Sequence, residues 1–333
     1  MRGRMRIVKM LLLLTLVALL IQAMPAVADD APGETTTPEG CQIVKVDFKS
    51  TCMGRSIRAV VVLPPGYEDS PDKTYPVLYA LHGLGAPYTV FSDMAPLRAA
   101  LRTQPMIVAS FDGDRAGWYI DATQRSDSQF LTFFFDEFMP YVEGRFRSSG
   151  VRGVSGFSMG GYGAIGYMLQ RPDLFASASA LSGAFYCVVN GQGQGHKELE
   201  PLLGPIDANR EAYEKITLAP RLAAWVDQDK KLPPLMLHCG TEDGLVDNNR
   251  RFRTFLVEQN QRIRQRLEPQ VADEPDPRQR QRQLNRLMAT RRIDFTYIES
   301  PGAHNWDFWR GASADLIAYH WKHFQQAQPA PLK

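Results

Sequence analysis

Residues 152–169 read RGVSGFSMGGYGAIGYML, a serine set between glycines in an apolar run that then turns helical. Gly156-Phe157-Ser158-Met159-Gly160 fits the G-x-S-x-G nucleophile elbow. That turn is so sharp that small residues must flank the serine if strand and helix are to approach each other. Among 26 glycines the pentapeptide alone carries little weight, so its flanks decide. Val151 to Val154 reads as the end of a strand, and Tyr162 to Gln170 carries apolar residues at helical spacing, which is the strand–turn–helix the motif needs.

Working outward, strands alternate with helices. CQIVKVDFKS (41–50) and SIRAVVVLPPGY (56–67) predict a strand pair with a turn near Met53-Gly54. YPVLYALHG (75–83), PMIVASFDG (105–113), VRGVSGF (151–157), ASASALSGA (176–184), LPPLMLHCG (232–240) and IDFTYIESPG (293–302) read as further strands, with a helix over 130–146. This alternation predicts an α/β architecture, a mostly parallel central sheet with helices on both faces. Such sheets carry their sites at the carboxyl ends of the strands, where Ser158 falls.

At 333 residues, 44% hydrophobic and 22% charged, the chain has the composition of an ordinary globular protein with ample material for one large core. Its first residues are a separate object. Arg2, Arg4, Arg6 and Lys9 precede an apolar run from Met10 to Ile21, and Ala26-Val27-Ala28 is an A-x-A site. The pattern predicts a signal peptide over 1–28, cleaved after Ala28, and a secreted or periplasmic protein. Removing those four cations takes the formal charge from +2 to −2, which supplies no electrostatic reason to expect nucleic acid or, after cleavage, a membrane as partner. Residues 29–40 read as a disordered linker and 41–328 as the folded domain.

A serine nucleophile needs a base, and the base an orienting acid, in the chain order Ser, Asp or Glu, His for this elbow. Of six histidines, His82 and His196 come too early and His238 lies inside a strand. His320 and His323 belong to a terminal amphipathic helix, SADLIAYHWKHF. His304 remains, in the loop SPGAHNWDFW, where an imidazole can reach over the nucleophile. Glu242, Asp243 and Asp247 all qualify as the acid by type. Asp243 stands on the turn directly after a strand, whereas Asp247 precedes NNRRFRTFL as a helix N-cap. Acyl transfer also needs donors for an oxyanion. The amide after the nucleophile, Met159, is one, and Leu84 in the glycine-bearing turn LHGLGAP is the best candidate for the other.

Taken together, LPPGY, YPVLYALHGLG, DGDRAGWYID, FFFDEFMPYVEGRFR, GFSMGGYGA, HCGTEDGLVDNNRRF and GAHNWDFW resemble the esterase D-like branch of the α/β hydrolases. That branch holds S-formylglutathione hydrolases, tributyrin-type, feruloyl and acetylxylan esterases, and secreted mycolyltransferases. The resemblance runs over about residues 43–325. It implies the α/β-hydrolase fold, Ser158 as nucleophile, Asp243 as acid, His304 as base, and Leu84 and Met159 as oxyanion donors. It further implies that Trp118 and Tyr119 line a substrate pocket and that Trp306 flanks the histidine loop. The chain departs from the family in an arginine-rich insertion at about 259–292, which reads as a solvated helical hairpin whose acidic partners are Glu268, Asp273, Glu274 and Asp276.

Cys41 and Cys52 lie too far apart along an extended strand to pair, while Cys187 and Cys239 follow strands expected to be neighbours, so that pairing stays open. No cofactor or metal is expected, and GQGQG (191–195) reads as an edge of the active-site rim. The expectation is a serine carboxylic-ester hydrolase acting on small acyl esters or acylated polysaccharides. An acyltransferase of the mycolyltransferase type with the same triad, and a non-catalytic binding protein on the same fold, are the alternatives.

Overall fold

A computed structural model describes residues 33–185 and 196–332; the expected signal peptide, Cys187 and the GQGQG stretch lie outside the described residues. The strands are β1 (Gly33–Thr36), β2 (Gln42–Ser50), β3 (Arg55–Leu63), β4 (Tyr75–Leu81), β5 (Ile107–Phe111), β6 (Ser148–Phe157), β7 (Ser177–Leu181), β8 (Leu235–Gly240) and β9 (Phe295–Ser300). They form one sheet in the order β1-β2-β3-β5-β4-β6-β7-β8-β9. The first three strands run antiparallel, and β5, β4, β6, β7, β8 and β9 are parallel to one another. Helices of seven residues or more are α1 (Met139–Arg145), α2 (Met159–Gln170), α3 (His196–Leu203), α4 (Arg210–Ile216), α5 (Leu218–Asp227), α6 (Val246–Leu267), α7 (Pro277–Arg291) and α8 (Trp306–Phe324).

The central strands SASAL (β7) and LMLHCG (β8) are buried at every position, as a parallel sheet covered on both faces requires. Alternation along β4 splits the core. Val77, Tyr79 and Leu81 join one apolar cluster with residues of α2, and Leu78 and Ala80 join another with residues of α8. This three-layer arrangement bears out the α/β-hydrolase fold.

Three expectations are corrected. The described part of the stretch read as a disordered linker is ordered: Gly33–Thr36 pairs antiparallel with β2, from Gly33 opposite Lys45 to Thr36 opposite Gln42. Beside it, Arg98 Nε donates to Glu39 Oε2 at 2.8 Å, and that bond holds the Glu39 carboxyl down to about 2. All four β1 residues are exposed, so no hydrophobic pattern announced the strand. Second, the helix expected over 130–146 contains a π-helical turn, Phe133–Phe138, whose wider step leaves Phe133, Phe134 and Phe138 all buried. Third, the arginine-rich segment is a helix pair, but not a purely solvated one. Ile263, Leu267, Val271 and Leu284 are buried in the main core. Apart from Glu268, which pairs with Arg264 at 2.8 Å, the carboxylates that pair with its arginines lie outside the segment. Arg262 and Arg266 meet Asp227, and Arg266 and Arg291 meet Asp229.

Candidate active site

The strand β6 ends at Phe157 and α2 begins at Met159, leaving Ser158 alone in the turn with φ 56° and ψ −120°. An L-residue there is strained and persists only where its surroundings over-determine it. Ser158 N–H donates to the Leu181 carbonyl at 2.9 Å, and the Ser158 carbonyl accepts from Tyr162 and Ala184. The glycines are steric necessities. A Cβ on Gly156 would stand 2.3 Å from the Gly160 backbone, and one on Gly160 would stand 2.0 Å from the Leu81 carbonyl oxygen.

His304 arrives from the loop after β9, and Asp243 from the turn after β8. Neighbouring backbones bind the two loops together: Thr241 N–H donates to the Ser300 carbonyl and Glu242 N–H to the Gly302 carbonyl, both at 2.9 Å. His304 Nε2 stands 3.0 Å from Ser158 Oγ. Its Nδ1 is 3.0 and 2.9 Å from the two oxygens of Asp243. A carboxylate at Nδ1 fixes that nitrogen as the donor and leaves Nε2 to accept from the serine hydroxyl. Asp243 is buried, which works to raise its pKa. The hydrogen bond and charge of His304, together with bonds from Ser182 and the Leu245 amide, outweigh that and hold it below the usual carboxylate range. The edge of Trp309 or His304 faces the other ring at 86°, with centroids 4.9 Å apart.

The other two acid candidates do not reach the histidine. Glu242 and Asp247 are exposed. Asp247 is not the N-cap: α6 starts at Val246 after Leu245, and Asp247 in its first turn lies 3.1 Å from Arg250.

Met159 follows Ser158 directly, and Leu84 follows Gly83, whose loop packs against Ser158. Met159 is the first residue of α2, whose leading N–H groups have no intrahelical acceptor. The Leu84 amide meets no protein acceptor among the described residues. Gly83 holds its loop against the serine, since a Cβ on Gly83 would stand 3.3 Å from Ser158 Cβ. The arrangement can therefore withdraw a proton from Ser158 through His304.

One residue of this site was passed over in the sequence. His82 is buried, and burial lowers its pKa. Nε2 accepts from Gly113 N–H at 2.8 Å, which leaves Nδ1 to donate to the Gly83 carbonyl at 2.8 Å. His82 thus clamps the Leu84 loop to the loop 112–122. Its signal was its place beside Gly83, but its partner Gly113 is 31 residues away.

The aromatic residues expected at the pocket divide. Trp118 and Tyr119 are both buried with positive φ, 52° and 57°. Trp118 packs its ring edge-to-face on Tyr162 at 5.6 Å. Tyr119 donates its hydroxyl to the His82 carbonyl at 2.9 Å, fills the space above Gly163 with its ring, and lines a cavity along α2. Trp306 is half-buried and packs on Phe157 and Trp309 beside the histidine loop. Cys239 is a free, buried thiol in β8.

The sheet order and the Ser158–His304–Asp243 geometry define an α/β hydrolase. A family profile described as putative esterase matches residues 50–320, and the chain belongs to that family, as the esterase D-like resemblance of its sequence blocks implied. It is 36% identical over 143 residues to Esterase Rv1288 of Mycobacterium tuberculosis, a match covering 41% of this chain and 31% of that relative. It is 23% identical over 307 residues to the acetyl esterase of Caldicellulosiruptor saccharolyticus, covering 84% of this chain and 97% of the relative. Among solved structures, the S-formylglutathione hydrolase of Agrobacterium tumefaciens superposes with a TM-score of 0.65 at 19% identity, covering 88% of this chain and 98% of that one.

Proposed function

We propose that the protein is a serine carboxylic-ester hydrolase that works through an acyl-enzyme. The observation that carries this reading is the 3.0 Å approach of His304 Nε2 to Ser158 Oγ, with Asp243 bound to the opposite ring nitrogen. His304 takes the hydroxyl proton as Ser158 Oγ attacks the ester carbonyl. The Leu84 and Met159 amides hold the oxyanion, and His304 returns the proton to the departing alcohol. Water, deprotonated by the same imidazole, then attacks the acyl-enzyme and releases the acid. Asp243 stabilises the imidazolium in both halves of the cycle.

The substrates proposed are small acyl esters or acylated polysaccharides, and the site of action is outside the cytoplasm, on the strength of the n-region, apolar run and A-x-A sequence of residues 1–28. Family membership and the acetyl esterase relative support the ester chemistry. The test is a panel of p-nitrophenyl esters from acetate to palmitate, with methyl ferulate and acetylated xylan, run on the wild type and on Ser158→Ala. The expectation is turnover of the short esters that the variant abolishes. No turnover on any member of the panel would sink the proposal.

A further inference from the structure

A cavity of about 620 Å³ lies along α2, against α4 and α5, and none of Ser158, Asp243 and His304 lines it. Tyr162, Gly166 and Gln170 follow one another at four-residue steps down one face of α2 and form one wall. Arg221, from α5, faces them. Its Nη2 donates to the Gly166 carbonyl and to Gln170 Oε1, both at 3.0 Å, which occupies both protons of that nitrogen. Nη1 stands 3.9 Å from the point a Gly166 Cβ would occupy.

No carboxylate among the described residues neutralises this guanidinium. Burial lowers its pKa, and Tyr162 is the group whose charge works in its favour. The acidic residues of the lining are engaged elsewhere. Asp121 accepts from Leu131 N–H, Thr132 N–H and the Thr132 hydroxyl, and Glu211 is held by Lys215 at 2.8 Å. Arg221 is half-buried and has no carboxylate counter-ion among the described residues, and its planar fork matches a carboxylate. Beside it, Ile120, Leu131, Leu203 and Ile216 give the cavity an apolar wall.

We propose that this cavity binds a small amphipathic carboxylate, whose anionic head pairs with Arg221 and whose hydrocarbon body lies against the apolar wall. Arg210 and Lys215 also line the cavity, but both are exposed and Lys215 is paired with Glu211. Arg221 is left as the half-buried guanidinium beside the apolar wall, and one such group suits a monocarboxylate. The cavity is distinct from the hydrolytic centre in that none of Ser158, Asp243 and His304 lines it, although its wall along α2 begins at Tyr162, one turn from Ser158.

The experiment is a calorimetric titration of octanoate into the full chain and into its Arg221→Gln and Gly166→Leu variants, with 1-octanol as the uncharged control. The Gly166 side chain position opens onto the cavity, so leucine there blocks it without contacting the sheet, and thermal melting checks that each variant is folded. Saturable octanoate binding is expected. Arg221→Gln weakens it at least about tenfold, a loss on the scale of one charge-assisted bond, and Gly166→Leu abolishes it. If Arg221→Gln does not fold, Gly166→Leu decides alone. After Ser158 is capped by a phosphonate, binding persists unchanged. Failure of the capping itself counts against the role given to Ser158 and leaves the cavity result standing. Absence of octanoate binding, equal binding of octanol, loss of binding on capping, or binding unaffected in the folded variants would each overturn the proposal.

Discussion

At Gly160 one added Cβ would stand 2.0 Å from the Leu81 carbonyl oxygen, whereas along α7 Arg278, Arg282 and Arg286 all reach into solvent. The elbow is held by backbone sterics, a strained Ser158 and hydrogen bonds to Leu181, Ala184 and His304, so Gly156, Ser158 and Gly160 tolerate little change. The helix pair α6–α7 is held by a buried stripe of Ile263, Leu267 and Leu284. Its outward arginines form exposed pairs or none, and such pairs each contribute little. Two regions of similar order thus differ in how much each side chain matters, because one is constrained by geometry and the other by burial alone.

The sharpest way to break this comparison is at Ser158. Ser158→Ala should lower kcat by about 10⁴-fold or more with the melting temperature nearly unchanged; retention of more than about a tenth of the activity would remove Ser158 from the mechanism. Next comes the acid. Asp243→Asn is expected to cost about 10³- to 10⁴-fold by presenting the wrong partner to His304 Nδ1. Asp247→Asn, on the exposed first turn of α6, should cost less than about twofold, and the opposite ranking would show that the histidine takes its orientation from elsewhere.

Beneath the elbow, His320 is fully buried between the hydroxyls of Ser177 and Ser179, at 2.7 and 2.8 Å from its two ring nitrogens. Burial, with a smaller contribution from His323, lowers its pKa from 6.5 to about 3. The folded protein therefore binds fewer protons than the unfolded chain between those values, so the contribution of His320 is complete above about pH 6.5 and is lost as pH falls towards 3. Urea unfolding at pH 7 and pH 5 should show the wild type losing stability on acidification, and His320→Gln losing less. Parallel losses would exclude His320 as the cause.

The smallest effects belong to the helix pair. Leu284→Ala should destabilise by about 2–4 kcal/mol and Arg282→Ala by less than about 0.5 kcal/mol. Neither should change turnover of a small p-nitrophenyl ester by the folded protein. Comparable destabilisation by both would mean that the arginine faces carry stability after all.

Much of the site was legible because its constraints are local or follow from chain order. A G-x-S-x-G between strand and helix, a carboxylate on the turn after the next strand but one, and a histidine in the loop after the last strand can be read in sequence. Parallel sheets bring strand ends together, and Ser158, Asp243 and His304 meet there. The strand β1 was not legible, because an exposed edge strand of Gly, Glu and Thr has no apolar alternation to announce it. The solvated character expected of the arginine-rich segment failed for a related reason. Its buried residues are few and widely spaced among charges, and composition outweighed them.

The sequence by itself determined the sheet-and-helix alternation, the place of Ser158 in a strand-to-helix turn and that of His304 in the loop after the last strand, since these rest on periodicity, glycine sterics and chain order. Only the tertiary structure decided which carboxylate of three faces His304, that His82 ties Gly83 to Gly113, that Arg262, Arg266 and Arg291 turn to Asp227 and Asp229, and that Arg221 lines a cavity without pairing with a carboxylate among the described residues. Each of those depends on a distance between segments tens of residues apart, and a hydrogen bond or ion pair exists only where folding has brought its two ends within about 3–4 Å.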